Sequence, residues 1–188
     1  MMPKCKICRQ PFERNRPMQP TCNDMKCMLA YSEEHLKRSN LNKQREQRKD
    51  TKRKLDSLKS LPELMSEAQV AFNAYIRARD IKAGHGCIDC GKPCEPNKPG
   101  GSIDAGHYLS RGSSSHLKFN EDNCFAQRKN CNRPGGTTRD AFRAGVEARI
   151  GREALEALEA DHHVHKWTKD ELRAIKALYV SKMKELKK

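Results

Sequence analysis

Apolar positions recur with a helical period in three stretches of the chain. Leu64, Ala68, Ala71, Phe72, Tyr75 and Ile76 mark one face of residues 61–83, the spacing of an amphipathic helix packed on a core. Ser60-Leu-Pro-Glu63 just ahead matches a capping box with proline tolerated in the first turn. Gly84 and Gly86 end the segment. Thr138-Arg-Asp-Ala opens a second helix through Phe142, Val146 and Ile150 that stops at Gly151, and a short helix through Leu155 and Leu158 follows. A second capping box, Thr168-Lys-Asp-Glu171, opens the last helix, with Leu172, Ile175, Leu178, Tyr179 and Leu186 on one side. Lys182, Lys184, Lys187 and Lys188 complement the negative end of that helix.

Between Lys37 and Lys59 the pattern changes to charge: ten Lys/Arg stand against three Asp/Glu, and Leu41, Leu55 and Leu58 are the only large apolar residues. The segment can be helical but is too polar to be buried along its length. Such a block is either a solvated linker or, given the excess of one sign, a phosphate-binding face. Lys43, Arg45, Arg48, Lys49, Lys52 and Arg53 are the candidate contacts. The whole chain carries a net charge of +14 and a pI near 9.5, which points to a polyanion, either nucleic acid or an anionic membrane surface. No apolar run approaches the roughly 18 residues that span a bilayer, and no signal-peptide pattern follows Met1. The expectation is a soluble protein with no membrane partner, retained in the compartment where it is made.

Only 36% of the 188 residues are hydrophobic and 5% aromatic, with a mean hydropathy of -0.95. A chain this polar cannot build one large core, and small modules stapled by metal are the economical alternative. The nine cysteines fall mostly in close pairs, which in a reducing cytosol read as metal ligands. Cys5-x2-Cys8 and Cys22-x4-Cys27 suit the closed tetrahedral site of a structural zinc, making residues 1–31 a zinc ribbon or knuckle. Cys87-Ile-Asp-Cys90-Gly-Lys is a second knuckle. Its partner pair should end at Cys131, but position 128 is Arg128, so a second zinc site would take Cys124 or Cys94 as its fourth ligand, the alternative being thiols that only pack in the core. Cys124 is preferred because it shares the later segment.

Residues 84–136, rich in Gly, Pro and Ser, hold most of the chemically competent side chains. Ile103 to Leu109, following a Pro/Gly loop, can be a short strand that presents His107 near its end, close to Asp104. A neutral imidazole there could take a proton from water while a bound cation stabilises charge on a phosphate. Arg111, Ser113 and Ser114 could meet a phosphate, and Arg128 and Lys129 could position a strand. His116 reads as a surface residue, His162, His163 and His165 as a solvated turn, and Trp167 as packing between the last two helices.

The order knuckle, Asp104-x2-His107, Asn123, Cys131-Asn132 resembles the HNH, or ββα-metal, nucleases, and its Cys-Asn ending resembles the resolvase-type branch that cuts branched DNA. More closely, Cys-x2-Cys-Gly, Asp-Ala-Gly-His-Tyr, Leu117-Lys-Phe-Asn-Glu-x-Asn123, Arg149-Ile-Gly and the His-Lys-Trp-Thr stretch are similar to the phage NinG (Rap) recombination nucleases, over most of the chain. The resemblance implies a cytoplasmic endonuclease of a phage-infected bacterial cell, acting on recombination intermediates such as D-loops and Holliday junctions alongside recombination proteins of phage or host. Carried over by position, His107 is the general base, Asn123 orients that histidine or the scissile strand, and Asn132 with Asp104 holds a magnesium or manganese ion. Two features depart from the family: Phe125 and Arg128 stand where it usually has His and Cys, and Pro134-Gly-Gly should interrupt the helix expected after Cys131.

The expected fold is therefore α+β and mostly helical. It comprises a zinc module (1–31), a basic helical linker with a packed helix (32–83), a zinc-stapled HNH-like core (84–150) and C-terminal helices (151–188). A non-catalytic zinc protein that binds nucleic acid is the competing reading. The abundance of Lys and Arg without an obvious recognition helix favours recognition of shape over sequence. Resolving a four-way junction takes two incisions, which makes a homodimer attractive, with the final helix as its contact.

Overall fold

A computed structural model describes residues 2–95 and 102–188; the Pro/Gly loop read ahead of the strand falls in 96–101, outside the described residues. The chain divides into two compact units, residues 1–59 and 60–188. The architecture is α+β and mostly helical, with five α-helices and a two-stranded sheet among the described residues. No helix among them is long and apolar enough to cross a membrane.

In the first unit, an antiparallel bridge between Lys4 and Pro11 closes a loop around Cys5 and Cys8. Asp24 then caps α1 (Met25–Leu58), its Oδ1 accepting the Lys26 N–H at 2.7 Å. The helix thus starts inside the expected zinc module, and it carries Cys27 on its first turn, buried. Beyond Cys27 the helix buries no residue, as its composition requires. Lys43, Arg45, Arg48, Lys49, Lys52 and Arg53 are all exposed, Arg53 pairing with Asp50.

The second unit opens with α2 (Leu61–Lys82), whose capping box forms as read: Glu63 accepts the Ser60 N–H at 2.7 Å. Antiparallel strands β1 (Ile103–His107) and β2 (Cys124–Arg128) pair Ile103 with Arg128 and His107 with Cys124. Between them, two short 3-10 turns cover 115–119 and 121–123. Then come α3 (Arg139–Ile150), α4 (Arg152–Ala160) and α5 (Lys169–Leu186). Thr138 caps α3, and Thr168 with Glu171 forms the second capping box.

Side chains alternate across a strand, and β2 uses this to join two small cores. Cys124 points into one built from Leu64, Phe72, Ile76, Phe119, Leu172 and Tyr179 of α2, α5 and the 3-10 turn. Phe125 points into the other, with Ile88, Tyr108, Phe142, Val146 and Leu155. The guanidinium groups of Arg79 and Arg149 also lie over the Phe125 ring, each 5.8 Å from its centre. That explains an aromatic residue where the family resemblance led us to expect histidine. Helix α3 approaches the knuckle so closely that a Cβ at Gly145 would fall 1.9 Å from the Ile88 carbonyl oxygen. Asp80, 1% exposed, accepts the Ala126 N–H at 2.7 Å, and Arg79 donates to the Cys124 carbonyl at 3.0 Å. Helix α2 is therefore fastened to β2 by side chains as well as by packing.

Candidate functional site

Cys5, Cys8, Cys22 and Cys27 bring their sulfurs within 4.8 Å of one another, with Cys8 and Cys22 3.9 Å apart. Zinc–thiolate bonds of about 2.3 Å in a tetrahedron put sulfurs about 3.8 Å apart, so the four fit a zinc ion. Burial pushes the Cys5 thiol up, but backbone hydrogen bonds at Cys22, Ile7 and Cys8 outweigh it and bring it down to about 6. Burial and its three thiol neighbours push Cys27 up to about 12. None of the nine cysteines forms a disulfide.

Cys87, Cys90 and Cys131 form a second cluster, Cys131 Sγ lying 3.6 Å from Cys90 Sγ. The two knuckles share one backbone design. Cys5 N–H donates to the Gln10 carbonyl and Arg9 N–H to the Cys5 carbonyl, both at 2.9 Å; Cys87 with Lys92 and Gly91 repeats both bonds at the same length. The turn requires a left-handed residue after the second cysteine, Gly91 at φ +67° in one and Arg9 at φ +61° in the other. Glycine adopts this conformation freely and arginine only under strain.

The preferred fourth ligand, Cys124, is not in the second cluster. Register explains the correction: Cys124 is paired with His107, whereas Arg128, at the other end of β2, donates its N–H to Cys87 Sγ at 3.3 Å. Four residues of strand separate them, roughly 13 Å. The alternative, Cys94, lies outside the cluster as well; burial, then Cys87, Asp80 and Cys90, push its thiol up. Arg128, read as a strand-positioning residue, sits beside this cluster, where its side chain helps hold the Cys90 thiol pKa down. Lys129, whose N–H donates to the Ser102 carbonyl, does not line the cavity described next.

Asp104, His107 and Asn132 converge. They line a polar cavity of about 510 Å³ together with Arg111, which the sequence also singled out, and Asn73 and Arg77 of α2. Asn132 Nδ2 donates to Asp104 Oδ2 at 3.1 Å. No helix carries Asn132; it sits in a turn where its N–H and that of Cys131 donate to the Arg128 carbonyl, at 3.0 and 2.8 Å. The expected interruption by Pro134-Gly-Gly is real, and the helix waits until Arg139. At Gly136 a Cβ would lie 2.0 Å from the Asn130 carbonyl oxygen, so glycine lets this turn fold back on itself.

His107 is half-buried, with Nε2 3.0 Å from the Lys118 carbonyl and Nδ1 3.6 Å from Cys124 Sγ. A carbonyl can only accept, so Nε2 carries the proton and Nδ1 keeps its lone pair. Desolvation lowers the imidazole pKa below its ordinary 6.5, and Arg111 and Lys118 lower it further against the opposing Lys118 carbonyl bond. The ring is therefore neutral at pH 7.

Asn123 corrects another expectation. Fully buried, it accepts the Leu109 N–H at 2.8 Å and donates to the carbonyls of Leu109 and Leu117 at 3.1 Å. It fastens the loop behind β1 and is not among the residues that line the cavity. His116, read as a surface residue, keeps only 10% of its side chain exposed and bonds the Asp161 carbonyl. Trp167 packs edge-on against Phe119, 5.0 Å between centroids, instead of between the last helices. His162 and His163 are exposed, while His165 tucks against Trp167 at 4.4 Å.

Sequence reasoning missed Asn73 and Arg77. With Gln69 they are spaced four residues apart and form a polar stripe beside the apolar face of α2, a signal that was readable but carries no address without the tertiary fold.

A family model described as "Bacteriophage Lambda NinG protein" matches residues 2–188. The chain belongs to the NinG family. It is 37% identical over 123 residues to the ninG proteins of Escherichia phage lambda and Salmonella phage P22, an alignment covering 65% of this chain and 57% of each relative. The ninG protein of Enterobacteria phage H19B is 32% identical over 204 aligned positions, 98% of this chain and 93% of that one. No solved structure matches.

Proposed function

We propose that this NinG-family chain is a metal-dependent DNA endonuclease of the HNH type, acting on branched recombination intermediates such as D-loops and Holliday junctions. The observation that carries the reading is the convergence of Asp104, His107 and Asn132 on one polar cavity flanked by Arg77 and Arg111. Asp104 and Asn132 offer adjacent oxygen donors, a set that suits magnesium or manganese. Asn132 would turn its amide to present Oδ1 in place of the Nδ2 now bonded to Asp104. A divalent ion held there supplies positive charge to the phosphate and to the departing 3′ oxygen.

His107 takes the proton from the attacking water. Its lone pair sits on Nδ1, which faces the Cys124 thiol, so the ring must turn about Cβ–Cγ, a broad two-fold torsion, to offer that nitrogen to the cavity. Arg77 and Arg111 bring cationic groups to the wall, where a scissile phosphate would be neutralised and oriented. The exposed basic residues of α1 add sequence-independent phosphate contacts. The thiolate clusters contribute structure, holding loops that a small core would leave loose.

The Nδ1–thiol contact favours the competing reading, in which the fold is a zinc-stabilised clamp that binds nucleic acid and cuts nothing. Cleavage separates the two. Purified protein with magnesium or manganese should nick four-way junctions and splayed duplexes. His107→Ala should lower cutting by at least about 100-fold, the scale of a lost general base, with DNA binding intact. Equal activity in both proteins would mean a contaminating nuclease and would end the enzyme reading.

A further inference from the structure

A second cavity, about 620 Å³, adjoins the first and shares Asn73, Arg111 and Gly112 with it. Its volume falls in the range of roughly 300–1,000 Å³ usual for small-molecule sites. The walls differ in character from those around His107. Met65 and Val70 of α2 provide apolar surface, Val70 being 67% exposed. Lys118 reaches across with Nζ 3.7 Å from Met65 Sδ, and its ammonium pKa is lowered by desolvation and by Arg111. Gln69, 7% exposed, donates from Nε2 to Asn73 Oδ1 at 2.7 Å, but its Oε1 is buried without a hydrogen-bond partner. A buried amide oxygen left unsatisfied is unfavourable unless a ligand completes it.

We infer that this second cavity holds the unpaired base of a nucleotide next to the scissile phosphate. The inference rests on the nuclease reading for the position of that phosphate. Apolar side chains and the Arg111 guanidinium offer flat surface for a base to stack on. Once the Gln69 amide turns, its oxygen can accept an N–H from the base edge, and every base carries one. The shared wall at Asn73 and Arg111 spaces base and phosphate as neighbours on one strand. A paired base could enter only by leaving its partner and its stack, at a cost in binding. DNA that is already unpaired at a junction, flap or displaced strand avoids that cost. The cavity thereby converts an open strand into a preference for branched DNA without reading sequence.

Binding of the full chain to a splayed-arm duplex in EDTA, followed by fluorescence anisotropy, tests this without any cutting. A tetrahydrofuran abasic residue is stepped through the single-stranded arm from the branch point. One position should weaken binding about tenfold, the size of a lost base stack, while its neighbours change less than about twofold. A 2-aminopurine at that same position should change its emission on binding. In Gln69→Leu the dependence should flatten, with an unchanged thermal melt as the control for folding. A uniform scan on the wild-type protein overturns the proposal, and so does a Gln69→Leu variant that keeps the full dependence. A position effect without cleavage in magnesium or manganese would refute the nuclease reading alone; cleavage with a uniform scan would refute the cavity assignment alone.

Discussion

The chemistry of His107 is set by three neighbours that no stretch of sequence near it announces. Lys118 lends a carbonyl to Nε2, Cys124 a thiol to Nδ1, and Arg111 a positive charge. All act on a ring already desolvated, and the net shift is downward. In the proposed role as base it would stay functional to more acid pH than a free imidazole, so the acid limb of any cleavage rate should lie below 6.5. The same sign applies to folding. As pH falls through 6.5 the unfolded chain binds a proton that the folded ring resists, so stability drops until the folded group also protonates. A limb above 6.5 would show that another group is titrating. Asn123 makes a different prediction: Asn123→Ala strands the three backbone groups it satisfies and should cost about 2–4 kcal/mol in urea denaturation. A loss below about 1 kcal/mol would remove its role in fastening that loop. Asp104, His107 and Asn132 were legible as a motif because strand and knuckle signals lie within one stretch of chain. Asn73 and Arg77 were not, because the face that α2 turns toward β1 is decided by Phe72 and Ile76 meeting Cys124 and Phe119 across the core.

Elements with local punctuation matched their reading. Both capping boxes closed, and Thr138 and Gly151 bound α3 as read. What failed was anything dependent on strand register. Cys124 and Arg128 differ by four positions in sequence, yet they sit at opposite ends of β2, one beside the imidazole and the other over the thiols of the second knuckle. Sequence order alone could not tell which end the metal occupies. The departure at Arg128 then has a direct test. Arg128→Cys supplies a thiolate at the position whose N–H already meets Cys87 Sγ, completing a set of four thiolates. Competition against a chromophoric chelator should show a second zinc held at least about tenfold more tightly than in the unaltered chain. No gain would mean that Cys94 or another donor already completes the site.

At the scale of the molecule, the two units differ in what they present. The unit of residues 60–188 carries the cavities, while α1 presents basic residues to solvent along a helix that buries only Cys27. Arg45, Arg48, Lys49 and Lys52 follow i, i+3, i+4, i+7 spacing and share one face. Replacing these four with glutamine should reduce the slope of log K against log salt by roughly 3–4 units if each meets a phosphate; an unchanged slope would mark the helix as a solvated spacer. The composition of residues 37–59 already kept that block out of a core. The small sheet carries a last consequence. A two-stranded ribbon ordinarily leaves an outer border of N–H and C=O groups that can recruit a strand from another molecule. Here the outward groups of Cys124, Ala126 and Arg128 are all occupied: by Glu121 and Arg79, by Asp80 and Ile88, and by the Cys87 thiol with the turn at Cys131 and Asn132. The β2 border is therefore closed to β-pairing between copies.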